Sequence, residues 1–187
     1  MKIGYCLTGS FCTFSKSVEV IKSLVEKGHT VIPVMSEYSY STDTKFGKAD
    51  DFINKIEEMT GNRIIHTIKD AEPIGPKKMF DVLAVIPCSG NTLAKLALGI
   101  NDTTVTMAVK SHLRNSRPVV IGVSTNDALG NSAKNIGMLM NYKCYHFVPF
   151  TMDDPLNKPR SMVCDFSLIS ATIENAFNNK DMIQKIF

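Results

Sequence analysis

Residues 81–95 read Asp81-Val82-Leu83-Ala84-Val85-Ile86-Pro87-Cys88-Ser89-Gly90-Asn91-Thr92-Leu93-Ala94-Lys95, and the change of character along this stretch decides the fold class. Val82 to Ile86 is an unbroken apolar run, the pattern of a strand covered on both faces. Pro87 has no N–H to give a neighbour, so the ladder is expected to end there. Cys88 to Gly90 then predict a tight turn, Asn91 or Thr92 a helix start, and Gly99 a helix stop. A buried strand that passes through a small polar turn into a helix is the unit of parallel α/β architecture.

The same unit recurs on either side. Apolar runs predict strands over residues 2–8, 30–35, 64–68, 118–124 and 145–150 in addition to 81–87. Between them lie helical spacings. Val18, Ile21, Leu24 and Val25 share one face of a helix over 15–27, and Phe52, Ile53, Ile56 and Met59 share a face over 50–59. Further helices are expected over 92–98, 104–115 and 129–140, then a turn-rich loop over 153–159 and a helix over 166–177. Six strands alternating with helices imply a three-layer α/β fold, doubly wound, with a mostly parallel Rossmann-like sheet. Ligands are then expected beyond the carboxyl ends of the strands.

The composition fits one folded domain over 1–187. Apolar residues are 44% and charged residues 21%, which excludes disordered and membrane-spanning classes. No apolar run approaches the ~20 residues of a spanning helix, and none is flanked like a signal peptide. A net charge of +3, scattered along the chain, gives no footprint for nucleic acid. Five cysteines without a C-x-x-C pair argue against zinc and against a disulfide framework, so a reducing cytoplasm is expected.

Three strand-to-helix junctions are rich in small polar residues, and parallel winding puts all three on one rim. The first is Thr8-Gly9-Ser10-Phe11-Cys12-Thr13. Gly9 allows close approach to an anion and the following amides can donate to phosphate; equally, Gly9 makes a turn and Ser10 or Thr13 caps a helix. At the second, Ser89, Asn91 and Thr92 supply more polar groups than one N-cap needs, which favours a ligand. At the third, Ser124-Thr125-Asn126-Asp127, the Asn126 amide either caps a helix or reads the edge of a ring. P-loop and G-x-G-x-x-G patterns both fail, which excludes nucleotide hydrolysis and ordinary dinucleotide binding.

Gly9-Ser10, the run from Pro87 to Ile100, and Arg117-Pro118 followed by Thr125-Asn126 resemble the flavoprotein family of FMN-binding cysteine decarboxylases. Its recurring segments are a Gly-Ser phosphate loop, a Pro-Ala-Ser-Ala-Asn-Thr motif and a Pro-x-Met-Asn motif. The resemblance covers roughly residues 1–150 and implies FMN as cofactor. Gly9, Ser10, Phe11, Ser89, Asn91 and Thr92 then fall at the phosphate and ribityl chain. Ser36 after the second strand, Thr106 and Asn126 fall at further flavin contacts. The resemblance also implies a trimer-based homo-oligomer. Within the family the chain is most similar to members that form one component of a two-component oxidoreductase, which implies a partner chain carrying NADP and a dihydropyridine dicarboxylate substrate.

Two departures weaken decarboxylation. Where the decarboxylases carry a catalytic His, this chain has Glu72-Pro73-Ile74-Gly75, and the Pro and Met of the third motif are Val123 and Thr125. The functions in view are therefore an oxidoreductase component, a non-catalytic flavin-binding or stabilising component, and an independent flavoprotein decarboxylase or prenyltransferase. Remaining polar residues read as structural: His66 inside a strand, His29, His112 and His146 as surface or packing residues, and Cys12 as a small buried thiol. Tyr38 and Tyr40 either cover a bound ring or belong to a plain surface loop. Arg160 and Lys110 either meet a dicarboxylate or are solvated charge.

Overall fold

The computed structural model describes residues 1–178, so the last part of the expected 1–187 domain lies outside the described residues. In chain order the regular elements are β1 (Lys2–Leu7), α1 (Phe14–Glu26), β2 (Thr30–Met35), α2 (Glu37–Ser41), α3 (Ala49–Thr60), α4 (Ile68–Ala71), β3 (Val82–Cys88), α5 (Gly90–Leu98), α6 (Thr104–Leu113), β4 (Val119–Thr125), α7 (Ser132–Met140), β5 (Tyr145–Phe147), β6 (Phe150–Met152), β7 (Met162–Cys164) and α8 (Ile169–Asn178). β2, β1, β3, β4 and β5 lie side by side and parallel. Every residue of β3 is buried, as its apolar run requires of a central strand. One group of packed helices contains α1, α3 and α8, another contains α4 to α7, and the sheet lies between.

Local chemistry explains the helices. In α1, Phe14, Val18, Ile21 and Leu24 recur at three- and four-residue spacing and bury one face. α5 stops at Gly99, whose φ of 70° is the left-handed conformation that suits glycine beyond a helix end. No helix among the described residues is long and apolar enough to cross a membrane.

The expected α/β winding is present, with seven strands among the described residues instead of the expected six. The 64–68 segment is not a strand. It keeps a single bridge, Val34 to Ile65, because the residue that would extend the ladder on β2 is Pro33, which has no N–H to donate. Asn62 Nδ2 takes the Val31 carbonyl instead, at 3.0 Å, and Thr67 is committed to capping α4. The expected 145–150 strand divides at Val148-Pro149 into β5 and β6. β6 turns antiparallel onto β7, and β7 pairs with Ser124 and Thr125 at the far end of β4. β3 also runs one residue past the expected stop, through Pro87 to Cys88, with a register shift against β4 between Val85 and Cys88. The following helix starts at Gly90, with Ser89 as its cap, so the expected Cys88–Gly90 turn is absent.

Candidate functional site

Thr8, the first residue beyond β1, is 1% exposed and ties the first junction to the second. Its hydroxyl donates to the Pro87 carbonyl at 2.8 Å and accepts from the Ser89 amide at 3.0 Å. The first and third junctions are joined as well. Ser10 Oγ lies 2.8 Å from Ser124 Oγ, and Thr13 Oγ1, 3.4 Å from Ser124, donates to the Ser10 carbonyl. Neither Ser10 nor Thr13 makes a side-chain cap bond, so the capping alternative for this loop does not hold. In the Ser10–Ser124 pair one hydroxyl donates and the other accepts, and the acceptor keeps its own proton for a third group.

At the second junction the cap accounts for two of the three polar residues. Ser89 Oγ accepts from the Thr92 amide at 3.4 Å and lies 3.1 Å from Thr92 Oγ1. Asn91 is exposed on the first turn of α5. Gly90 lets this turn approach the third junction. A Cβ there would stand 2.8 Å from Asp127 Oδ1, Ser132 Oγ and Thr125 Oγ1 alike. Those three atoms form one network, in which Thr125 and Ser132 both donate to Asp127 Oδ1 at 2.6 and 2.8 Å.

The junctions open on one cavity of about 1010 Å³, at the upper end of the volumes that hold small molecules. Gly9, Ser10, Phe11, Ser89, Asn91 and Asn126 of the expected site line it, together with Gly90, Ser124 and Asp127. Thr92 lies buried beside them. Ser36 and Thr106 are not brought to it. Ser36 caps α2 through the Ser39 amide, and Thr106 completes a reciprocal capping box with Thr103 at the start of α6. The rest of the wall comes from Cys12 and Thr125 of the first and third junctions, from Lys45 and Phe46, from the β6–β7 connection, including Asp153, Lys158 and Arg160, and from Val163 of β7.

Other candidates separate cleanly. Cys12 is exposed on the cavity wall, 4.0 Å from Ser10 Oγ, and is not the expected buried thiol. Cys6 and Cys88 are fully buried and burial pushes both thiols far up; burial also raises Cys164 to about 12, so none is a thiolate at neutral pH. His66 stacks on Tyr40 with ring centroids 3.8 Å apart and is structural. His112 is buried against the Pro118 carbonyl at 3.1 Å, and burial lowers its pKa to about 4, which keeps the ring neutral. Tyr38 meets Phe11 edge-on at 5.6 Å, outside the cavity lining. Lys110 belongs to a second, smaller hollow of about 430 Å³. The Glu72–Gly75 stretch also lies away from the cavity, held to α6 by Ser111, which donates to the Glu72 carbonyl at 2.6 Å.

Thr8 and Gly90 fall inside the junctions marked in the sequence but are not among its candidate contacts, and the structure gives each a bridging or close-approach position there. Thr8 looks like a strand residue, and its role exists only because Pro87 leaves a carbonyl next to it. A single glycine at a helix start looks like turn chemistry until the Asp127 network is seen against it.

The family model that matches this chain is that of the Flavoprotein family, over residues 1–178. The chain belongs to the Flavoprotein family. Within it, the chain is 44% identical to the B subunit of dipicolinate synthase from Bacillus subtilis (strain 168), over 97% of this chain and 90% of that protein. The crystal structure of the dipicolinate synthase B subunit from Bacillus halodurans superposes with a TM-score of 0.89 at 40% identity, covering 99% of this chain and 94% of the other. An FMN-dependent cysteine decarboxylase, 22% identical, matches with a TM-score of 0.68 over 94% of this chain and 97% of its own, which shows the shared fold. The Rossmann-like α/β winding expected from the sequence is the winding of this family.

Proposed function

We propose that this chain binds FMN in the cavity at the three junctions and serves as the B subunit of dipicolinate synthase, in formation of dipicolinate from a dihydrodipicolinate-type substrate. The observation that carries the reading is the 44% identity, over nearly the whole chain, to a dipicolinate synthase B subunit. The cavity supports the cofactor. A phosphate dianion suits neutral hydroxyls and the amides of the first turn of α5, which Ser10, Ser124, Ser89 and the Gly90–Asn91 backbone offer. Phe11, Phe46 and Val163 give an apolar wall for the ring system, and the Asn126 amide reads its edge. Aromatisation of a dihydropyridine removes two electrons and two protons, and bound FMN would supply a two-electron acceptor. The chain's own residues bind and orient. The A subunit of dipicolinate synthase as partner, carrying NADP, a trimer-based homo-oligomer and a cytoplasmic setting complete the proposal.

A second reading, a flavin-binding component that stabilises the A subunit without taking electrons, is favoured over an independent decarboxylase by one feature. No histidine is among the residues lining the cavity, so the proton donor of the family's decarboxylases has no counterpart, and an independent decarboxylase loses its support. Asn91→Asp separates the two remaining readings. An aspartate on the first turn of α5 suits the helix dipole, so folding is retained. Beside the phosphate it repels, and FMN affinity should fall about tenfold or more. Visible absorbance of the purified protein reads the bound flavin, and turnover of the complex reconstituted with the A subunit reads its role. Full turnover without flavin would exclude the electron-carrying role, and a parent protein that takes up no FMN would exclude both readings.

A further inference from the structure

The cavity wall outside the three junctions carries more positive charge than its own carboxylates neutralise. Lys158 sits 3.3 Å from Asp153 Oδ2. Hydrogen bonding from the Ser161 hydroxyl, with Lys158 beside it, holds the Asp153 carboxyl below its ordinary range. Asp127 is engaged by the Thr125 and Ser132 hydroxyls. That leaves Lys45 and Arg160, which form no ion pair among the described residues, although both line the cavity.

Their surroundings are those of a holder for a flat anion. Arg160 is fixed by its backbone, because its carbonyl accepts from the Leu129 amide at 3.1 Å in the turn after the third junction. Its side chain passes Gly130, where a Cβ would lie 3.7 Å from Cδ and Nη1. The backbone of Arg160 is thus held at the cavity rim, its guanidinium makes no hydrogen bond or ion pair among the described residues, and its planar fork matches a carboxylate with two parallel bonds. The Lys45 ammonium stands 5.2 Å from the Phe46 ring centre, and Phe46, Pro159 and Val163 supply apolar surface to the same cavity.

We propose that Arg160 and Lys45 form an anion subsite in this cavity that holds the carboxylates of a small planar dicarboxylate. The inference rests on the functional reading above, in which the flavin phosphate is satisfied by the junction hydroxyls and amides. An anion on Arg160 has two sources, a substrate carboxylate or the flavin phosphate itself, and we commit to the carboxylate.

The probe is pyridine-2,6-dicarboxylate, titrated into the FMN-loaded full chain and followed by the flavin absorbance shift and by calorimetry. Saturable binding is expected for the parent. Arg160→Ala should weaken it at least tenfold, Arg160→Lys should recover part of the loss, and Lys45→Ala should weaken it several-fold, all with FMN affinity unchanged. Both residues are exposed, so the variants should fold like the parent. Unchanged dicarboxylate affinity in Arg160→Ala, or no binding by the FMN-loaded parent, overturns the subsite. Arg160→Ala that weakens FMN but not riboflavin gives the cation to the phosphate and also overturns it. If the parent takes up no FMN, the functional reading fails separately, and calorimetry on the flavin-free chain still decides the subsite.

Discussion

Replacing Thr8 by valine keeps the shape of the side chain and removes its hydroxyl. Two bonds go together, the one to the Pro87 carbonyl at 2.8 Å and the one from the Ser89 amide at 3.0 Å. The residue is 1% exposed, so water does not readily replace the lost partner, and a buried polar group left unmatched costs about 1–3 kcal/mol. With two such groups, and the gain from burying one more methyl set against them, Thr8→Val should destabilise the fold by about 3 kcal/mol. For a chain of this length that is a fall in Tm of about 6–12 °C. Thr8→Ser keeps the hydroxyl and loses only a methyl, so it should cost about 1 kcal/mol. Urea denaturation gives both values on the same preparation, and FMN titration reports whether the Ser89 end of the site has shifted. A valine variant within about 0.5 kcal/mol of the parent, the scatter expected of an unremarkable surface change, would refute the bridging role. So would a serine variant as weak as the valine one.

Gly90→Ala should be destabilising by about 1–2 kcal/mol, because the new methyl meets the Asp127 network at 2.8 Å and overpacking outweighs the gain in helix propensity. Thermal melts and FMN titration check this; a variant more stable than the parent, as propensity alone would give, contradicts the network's rigidity. Folding stability should also depend on pH through His112. Its folded pKa, about 4, lies below the ordinary 6.5, so between these values the unfolded chain takes up the proton first. The stability from keeping this ring neutral is present in full above pH 6.5 and drains away as pH falls to about 4, by roughly 3 kcal/mol in all. Urea melts at pH 7 and pH 4.5 should differ less in His112→Gln than in the parent; equal slopes would mean that other groups carry the effect.

Apolar runs and helical periods made the five parallel strands and the long helices readable, because a strand buried on both faces and a helix with one apolar stripe leave strong patterns. Where prolines interrupt, the reading failed. Pro33 on the edge strand prevents the 64–68 segment from pairing beyond one bridge, and Pro149 separates β5 from β6. β7 is three residues long, with Met162 and Cys164 buried on either side of Val163, a period-two trace too short to stand out. At the site, the junction loops were legible as clusters of hydroxyls and amides, and six of the nine expected residues line one cavity. Ser36 and Thr106 were not distinguishable from capping residues by sequence, since a cap and a ligand contact ask for the same side chain. Of the cations of the wall, Arg160 reads from sequence as a dicarboxylate contact or solvated charge and Lys45 is not among the candidates, because nothing local in the sequence says which charges will find a partner.

β4 changes neighbours along its length: Val119 to Ile121 pair with β5, whereas Ser124 and Thr125 pair with β7. The sheet therefore forks just where the third junction begins. One prong carries the parallel framework that keeps the hydroxyl-bearing loops in register, and the other hangs the β6–β7 arm over the opening. Surface connections accept insertions and substitutions far more readily than packed strands. A lineage could thus refit the arm to molecules of different size and charge while the loops proposed to hold the flavin stay as they are, a division of labour written into the branching of a single strand.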